Sequence, residues 1–114
     1  QLMRKSISYF ENVENFYHGF VLGLLVDMGE NYIVESNRES GYGRYDMKIE
    51  KKDGSIGIIL EFKTVKEEDK MEEMAEKALE QIEKNEYYLE MKERGIPNVL
   101  KYGIAFNNKK AVIK

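Results

Sequence analysis

A chain in which Asp53-Gly54 sits between two arms of alternating apolar residues has few ways to fold. Asp-Gly tolerates the positive φ that a two-residue type I′ hairpin turn requires at both central positions. Centring the turn there makes residues face each other when their numbers sum to 107, so Tyr45 meets Phe62, Met47 meets Leu60 and Ile49 meets Ile58. All three pairs are apolar, and a slip of one residue would scatter them over both faces of the hairpin. The opposite face then carries Asp46, Lys48 and Glu50 from one arm and Gly57, Ile59, Glu61 and Lys63 from the other.

On that second face Asp46 falls opposite Glu61. Directly paired Cβ atoms lie roughly 4.5 to 5.5 Å apart, and like charges so placed repel. A divalent cation between the carboxylates offsets the repulsion, and hard oxygen donors suit Mg²⁺ or Mn²⁺. Lys63 lies two residues beyond Glu61, so the alternation of a strand places its ammonium on the same face. Arg44 precedes Asp46 there, opposite Lys63, as a surface arginine or a phosphate clamp. Short patterns of this kind occur by chance in many chains. Here Ile58-Ile59-Leu60 is apolar on both faces, as in a strand buried on both sides, and charges at the end of such a strand are costly unless paired or metal-bound.

The rest of the chain supplies a frame for the hairpin. Ser8 and Glu11 form a capping box, which predicts a helix from there to about Asp27 with Val13, Phe16, Tyr17, Phe20, Val21 and Leu24 as its buried stripe. Glu14 and His18, four apart, border that stripe. Read alone, Glu14 is a solvated boundary carboxylate and His18 a packed or capping group. A short strand follows over Asn31–Glu35, then a polar, glycine-containing loop from Ser36 to Arg44, which is no P-loop because no Gly-Lys-Ser/Thr follows. After the hairpin, Glu67 to about Lys92 reads as one long helix with Met71, Met74, Ala75, Ala78, Leu79, Ile82 and Leu89 on its buried face. Gln81 flanks that face, and in an unbroken helix Tyr88, seven residues on, returns to the same side while Tyr87 points elsewhere. Gly95 and Pro97 end the helix. Strands over Val99–Phe106 and Ala111–Ile113, separated by an Asn107-Asn108 turn, complete the order αβββαββ.

Composition narrows the chemistry. With 114 residues the chain makes one domain, and without cysteine it has no disulfide framework, thiolate catalysis or Cys-based zinc site. No apolar run approaches a membrane span and no signal-peptide pattern opens the chain, so a soluble, cytoplasmic protein is expected. The net charge of −3 argues against broad phosphate neutralisation. From Lys66 to Arg94 there are eleven acidic and six basic residues, net −5, so the remainder totals +2 and any polyanion is expected away from the outer face of that segment. Because the chain begins at Gln1, a piece of a longer protein is also expected.

Asp46, fourteen intervening residues and then Glu61-Phe62-Lys63, in this order of elements, resemble the PD-(D/E)XK nuclease superfamily. The closer similarity is to the bacterial branch found as a C-terminal domain behind an AAA-ATPase-like domain. It is carried by Glu14, Tyr17-His18-Gly19, Ser36-Asn37-Arg38-Glu39-Ser40-Gly41, Gly43-Arg44, Asp46, Ile59-Leu60-Glu61-Phe62-Lys63, Ala78-Leu79-Glu80-Gln81-Ile82 and Tyr102-Gly103-Ile104-Ala105-Phe106, which span nearly the whole chain. The proline of the superfamily's name is absent, with Tyr45 before Asp46. The resemblance implies an α/β, restriction-endonuclease-like core, a central mixed sheet flanked by two long helices. It implies a metal-dependent phosphodiesterase acting on nucleic acid, DNA being the expected one. Asp46 and Glu61 would ligate Mg²⁺ or Mn²⁺ with the Phe62 backbone carbonyl, and Glu14 would complete the shell. Lys63 would polarise the attacking water, with Arg44 and Arg38 contacting substrate phosphate. Gln81, His18 and a tyrosine would support the site; the family pattern favours Tyr87 and unbroken helical geometry favours Tyr88. The superfamily also contains members that lost catalysis, so a non-catalytic binding or assembly module accompanying an ATPase domain is the alternative.

Overall fold

The computed structural model describes the backbone of residues 2–38, 44–107 and 110–114, and the side chains of 15–37, 45–107 and 110–114. Five strands form one sheet in the order β1 (Tyr32–Arg38), β2 (Arg44–Lys51), β3 (Ile56–Thr64), β4 (Asn98–Phe106) and β5 (Ala111–Ile113). Neighbours run antiparallel except β3 and β4, which are parallel, so the sheet is mixed and β3 is its middle strand. A parallel neighbour needs a crossover, and the helical segment after β3 provides it. This α/β arrangement is compatible with a restriction-endonuclease-like core.

The register of the hairpin follows the sum of 107, with Tyr45 opposite Phe62, Met47 opposite Leu60, Ile49 opposite Ile58 and Asp46 opposite Glu61. The turn differs from the sequence expectation. Among the described residues only glycines have positive φ, and in this turn that residue is Gly54, at φ 76°. Strand β2 ends at Lys51 and β3 begins at Ile56, leaving Lys52–Ser55 as a longer loop. It closes through Gly54 N donating to Lys51 O at 2.9 Å, and Asp53 Oδ1 accepts from Ser55 N and Oγ at 3.0 and 2.6 Å. Lengthening a loop by one residue on each side leaves its centre in place, so the register survives the change of turn.

Alternation in β2 and β3 divides the core in two. Tyr45, Met47, Ile49, Leu60 and Phe62 turn to the face covered by α1 (Leu2–Met28), where Tyr17 stacks on Tyr45 at 4.2 Å between centroids and meets Phe62 edge-on at 5.2 Å. Phe16, Phe20, Val21 and Leu24 pack on this cluster as the periodicity requires; the side chain of Val13 lies outside the described residues. The helix starts upstream of Ser8, because Leu2 to Lys5 are good helix formers and carry it past the local capping signal. It stops at Met28, where Gly29 takes φ 61°. None of the described helices is long and apolar enough to cross a membrane.

On the other face lie Ile59, Ile82, Met91 and Ile96, with Val65, Met71, Ala75 and Ala105 beside them. Here the expected single helix is two. After a 3₁₀ turn at Glu68–Lys70, α2 runs Met71–Gln81, a second 3₁₀ turn covers Ile82–Lys84, Asn85 is extended at φ −74° and ψ 136°, and α3 runs Glu86–Glu93. Asn85 is the reason for the break, since its side chain caps α3 by accepting from Tyr87 N at 2.7 Å, and asparagine is among the best capping residues. Strand β1 is also longer than expected. Ladder pairing of Ser36, Asn37 and Arg38 with Met47, Asp46 and Tyr45 draws a polar, loop-like sequence into the sheet. The expected loop beyond it, Glu39 to Gly43, lies outside the described residues, as does Asn108 of the final turn.

Candidate active site

Three strands and the break between helices meet at one place. Strand β2 contributes Asp46 and Lys48, β3 contributes Glu61 and Lys63, and β1 contributes Glu35 and Asn37, which pair with Lys48 and Asp46 and therefore share their face. Asp46, Lys48, Glu61 and Lys63 are buried, at 5, 7, 3 and 9 % exposure. Four ionisable side chains in the middle of a small sheet are tolerable only if they neutralise one another or bind an ion.

The carboxylates converge on one atom. Asn85 Nδ2 donates to Glu61 Oε2 at 3.2 Å and to Asp46 Oδ2 at 3.4 Å. An amide N–H₂ thus lies where the electron-rich edges of two facing carboxylates meet, and two hard, anionic oxygens aimed at one point are a suitable donor set for Mg²⁺ or Mn²⁺. Among the described residues no histidine or third carboxylate joins the pair. Glu14, expected to complete the shell, lies in α1 one turn ahead of Tyr17, whose hydroxyl donates to the Asp46 backbone carbonyl at 3.4 Å; the side chain of Glu14 is outside the described residues. The Phe62 ring turns into the α1 core, between the two site residues of β3.

Asp46, Asn37, Asn85, Tyr87, Lys84 and Glu86 line a cavity of about 350 Å³. Tyr87 stands in its wall, and its phenol is pushed above the usual tyrosine range, first by burial and then by the Asp46 carboxylate. Lys48 anchors this wall, with Nζ 5.3 Å from the centre of the Tyr87 ring, 3.6 Å from Glu35 and 3.9 Å from Glu90. Both tyrosines pack on the Ile59 cluster, but Tyr88 does not line the cavity, and the Lys101 and Lys92 ammonium groups lie 5.3 and 5.8 Å from its ring. Unbroken helical phase favoured Tyr88 on the side of Gln81. The 3₁₀ turn and extended Asn85 reset that phase, and Tyr87 is the tyrosine beside Asp46.

Gln81 is half-buried at the end of α2, four residues before Asn85, and does not line the cavity. His18 is exposed on α1, its ring 6.3 Å from that of Tyr17, and it does not line the cavity. Arg44 pairs with Lys63 and Arg38 with Tyr45 in the ladders, which sets both backbones beside the site; their side chains lie outside the described residues. Asn85, Asn37, Lys84, Glu86, Glu35 and Lys48 are residues of this site to which no role was assigned from the sequence alone. For Asn85 the signal was present as a strong capping residue inside an otherwise helical run. For Lys48 it was its place in the alternation with Asp46.

No curated protein and no solved structure matches the chain. The family model described as the PD-(D/E)XK nuclease superfamily matches residues 12–114, nearly its full length, and the chain belongs to that superfamily.

Proposed function

We propose that this protein is a metal-dependent nuclease that hydrolyses phosphodiester bonds of nucleic acid. The observation that carries the reading is the buried pair Asp46 and Glu61, facing each other across β2 and β3 with Lys63 two residues on, in a chain of a superfamily whose members are usually nucleases. When bound between Asp46 and Glu61, a divalent cation supplies positive charge to the scissile phosphate and makes water more acidic. Lys63 holds the attacking water and stabilises negative charge as it develops on the phosphate. The water oxygen forms a bond to phosphorus, the bond to the leaving oxygen breaks, and the products are a phosphate monoester and a hydroxyl end. Tyr87 and Lys48 keep the cavity wall in place, while Arg44 and Arg38 offer guanidinium groups to neighbouring phosphates.

On the resemblance alone, the reading extends to DNA as substrate, Mg²⁺ as the ion, an AAA-ATPase-like domain in the same chain and a bacterial cytoplasm. The test is Lys63→Met, which keeps the aliphatic stem and removes the charge. It is expected to lower Mg²⁺-dependent cleavage by roughly a hundredfold or more, with Mn²⁺ binding and thermal stability close to wild type. Cleavage that survives Lys63→Met would refute the role of Lys63. Absence of cleavage of single-stranded, double-stranded and branched substrates by the wild-type and longer chains, with metal bound, would refute the nuclease reading.

A further inference from the structure

Every polar group of Asn85 is committed. Its backbone N–H donates to Ile82 O at 2.8 Å, its carbonyl accepts from Leu89 N at 3.0 Å, and its side-chain Oδ1 accepts from Tyr87 N at 2.7 Å. The last contact fixes which way the amide faces, because a carbonyl oxygen and not an N–H₂ must receive the Tyr87 N–H. Nδ2 is thereby aimed at Asp46 Oδ2 and Glu61 Oε2. Ile82, fully buried, anchors the turn that carries Asn85 to this point.

A divalent cation coordinated by these two oxygens needs them at about 2.0 to 2.1 Å for Mg²⁺, and its charge repels an N–H donor aimed at the same place. The amide and the ion therefore compete for the same lone pairs. Turning the amide over would present Oδ1 to the cation, but it would strip the cap from Tyr87 N and leave a first-turn donor of α3 unsatisfied.

We propose that Asn85 sets the affinity of the Asp46–Glu61 pair for a divalent cation by occupying the same two oxygens, an inference that rests on the metal-dependent reading above. Asn85 is a positioning residue. It holds the facing carboxylates together through an uncharged donor, and it links arrival of the ion to the first turn of α3, where Tyr87 lies.

The test uses Asn85→Ser and Asn85→Asp in the 114-residue chain, followed by calorimetry with Mn²⁺ and by thermal unfolding before and after Mn²⁺ is added. Serine and aspartate are both good helix caps, so both variants keep the role toward α3 and neither keeps the amide donor. Asn85→Ser is expected to bind Mn²⁺ roughly tenfold more tightly, about the worth of one hydrogen bond to a charged group. Asn85→Asp is expected to bind more tightly still, to unfold at lower temperature than wild type before Mn²⁺ is added, and to gain more from the addition. Asn85→Ser binding equal to or weaker than wild type overturns the inference, since a residue that only caps α3 predicts that result. Equal heats from wild type and an Asp46→Ala, Glu61→Ala double variant, with no binding by Asn85→Ser either, overturn the metal-dependent reading itself, and this inference with it. Binding by Asn85→Ser where wild type shows none supports the competition in its strongest form.

Discussion

Gly103 lies in β4 beside Glu61, at the level of the site, where α2 crosses the sheet. A Cβ added there falls deep inside van der Waals contact with Ala75 O and Leu79 N, and 3.0 Å from Leu79 Cα. All three are backbone atoms of α2, and none can rotate away, so Gly103→Ala forces the helix off the strand. The shift opens an interface in which Met71, Ala75 and Ala78 are at 1, 0 and 0 % exposure. Overpacking that a core can absorb costs about 1 to 3 kcal/mol. A clash with rigid backbone belongs at or above the upper end, about 3 kcal/mol. For a chain of this size that corresponds to a fall of roughly 10 to 15 °C in Tm. Gly57 provides the control. A Cβ there would meet Met91 Sδ at 2.5 Å and Cε at 3.1 Å, the far end of a flexible thioether that can turn aside. Gly57→Ala is therefore expected to cost about 1 kcal/mol or less, part of it recovered because alanine loses less chain entropy than glycine on folding. Urea denaturation of both variants beside wild type measures the difference. The reasoning is refuted if Gly103→Ala is within about 1 kcal/mol of wild type, or if Gly57→Ala is the more damaging of the two.

Two further outcomes follow from the same packing. Glu50 accepts from both terminal nitrogens of Arg94 at 2.7 Å, and this hydrogen bonding holds its carboxyl below the ordinary value of 4.5; a folded pKa below the unfolded one gives stability that is complete above pH 4.5 and lost as pH falls through the folded value, so the Tm advantage of wild type over Arg94→Met should shrink between pH 5 and pH 3, and an advantage that grows on acidification counts against the pairing. Ile82→Ala, at a fully buried position, should cost about 2 to 5 kcal/mol and loosen the turn that carries Asn85, read as faster hydrogen exchange at Tyr87 N–H; protection unchanged there means that the turn is held by something other than Ile82.

The parts of this structure legible in the sequence are those that depend on period and register. The pairing of Asp46 with Glu61 follows from the apolar pairs alone, because slipping Tyr45, Met47 and Ile49 by one residue moves them all to the wrong face. Lys63 and Lys48 follow from the same alternation. What escapes is decided by competition between local signals and tertiary contacts. The Ser8 capping box loses to upstream helix formers, Asn37 is drawn into β1 by the ladder to Asp46, and Asn85 breaks a helix whose apolar period runs on through Ile82. The last of these also explains the tyrosines, since Tyr87 and Tyr88 exchange places when one residue is extended. A turn type is similarly hidden, because a loop that grows evenly about Asp53-Gly54 leaves every pair of the hairpin where it was.

The charge distribution bears on how a polyanion could reach such a site. The acidic segment from Lys66 to Arg94 forms α2 and α3, which cover the same face of the sheet that carries Asp46 and Glu61. Its carboxylates are not all turned outward, for Glu86 lines the cavity beside Lys84 and Glu90 lies near Lys48. Long-range attraction of nucleic acid is therefore weak on this side, and each added carboxylate near the cavity weakens it further. The formal charges of the four buried side chains Asp46, Glu61, Lys48 and Lys63 sum to zero, so these four together add no net charge to attract a phosphate. In the proposed reading the balance is changed by the ion, which adds two positive charges at the point where the carboxylates meet. Metal binding and phosphate binding then reinforce each other, and the residue that competes with the ion, Asn85, acts on both.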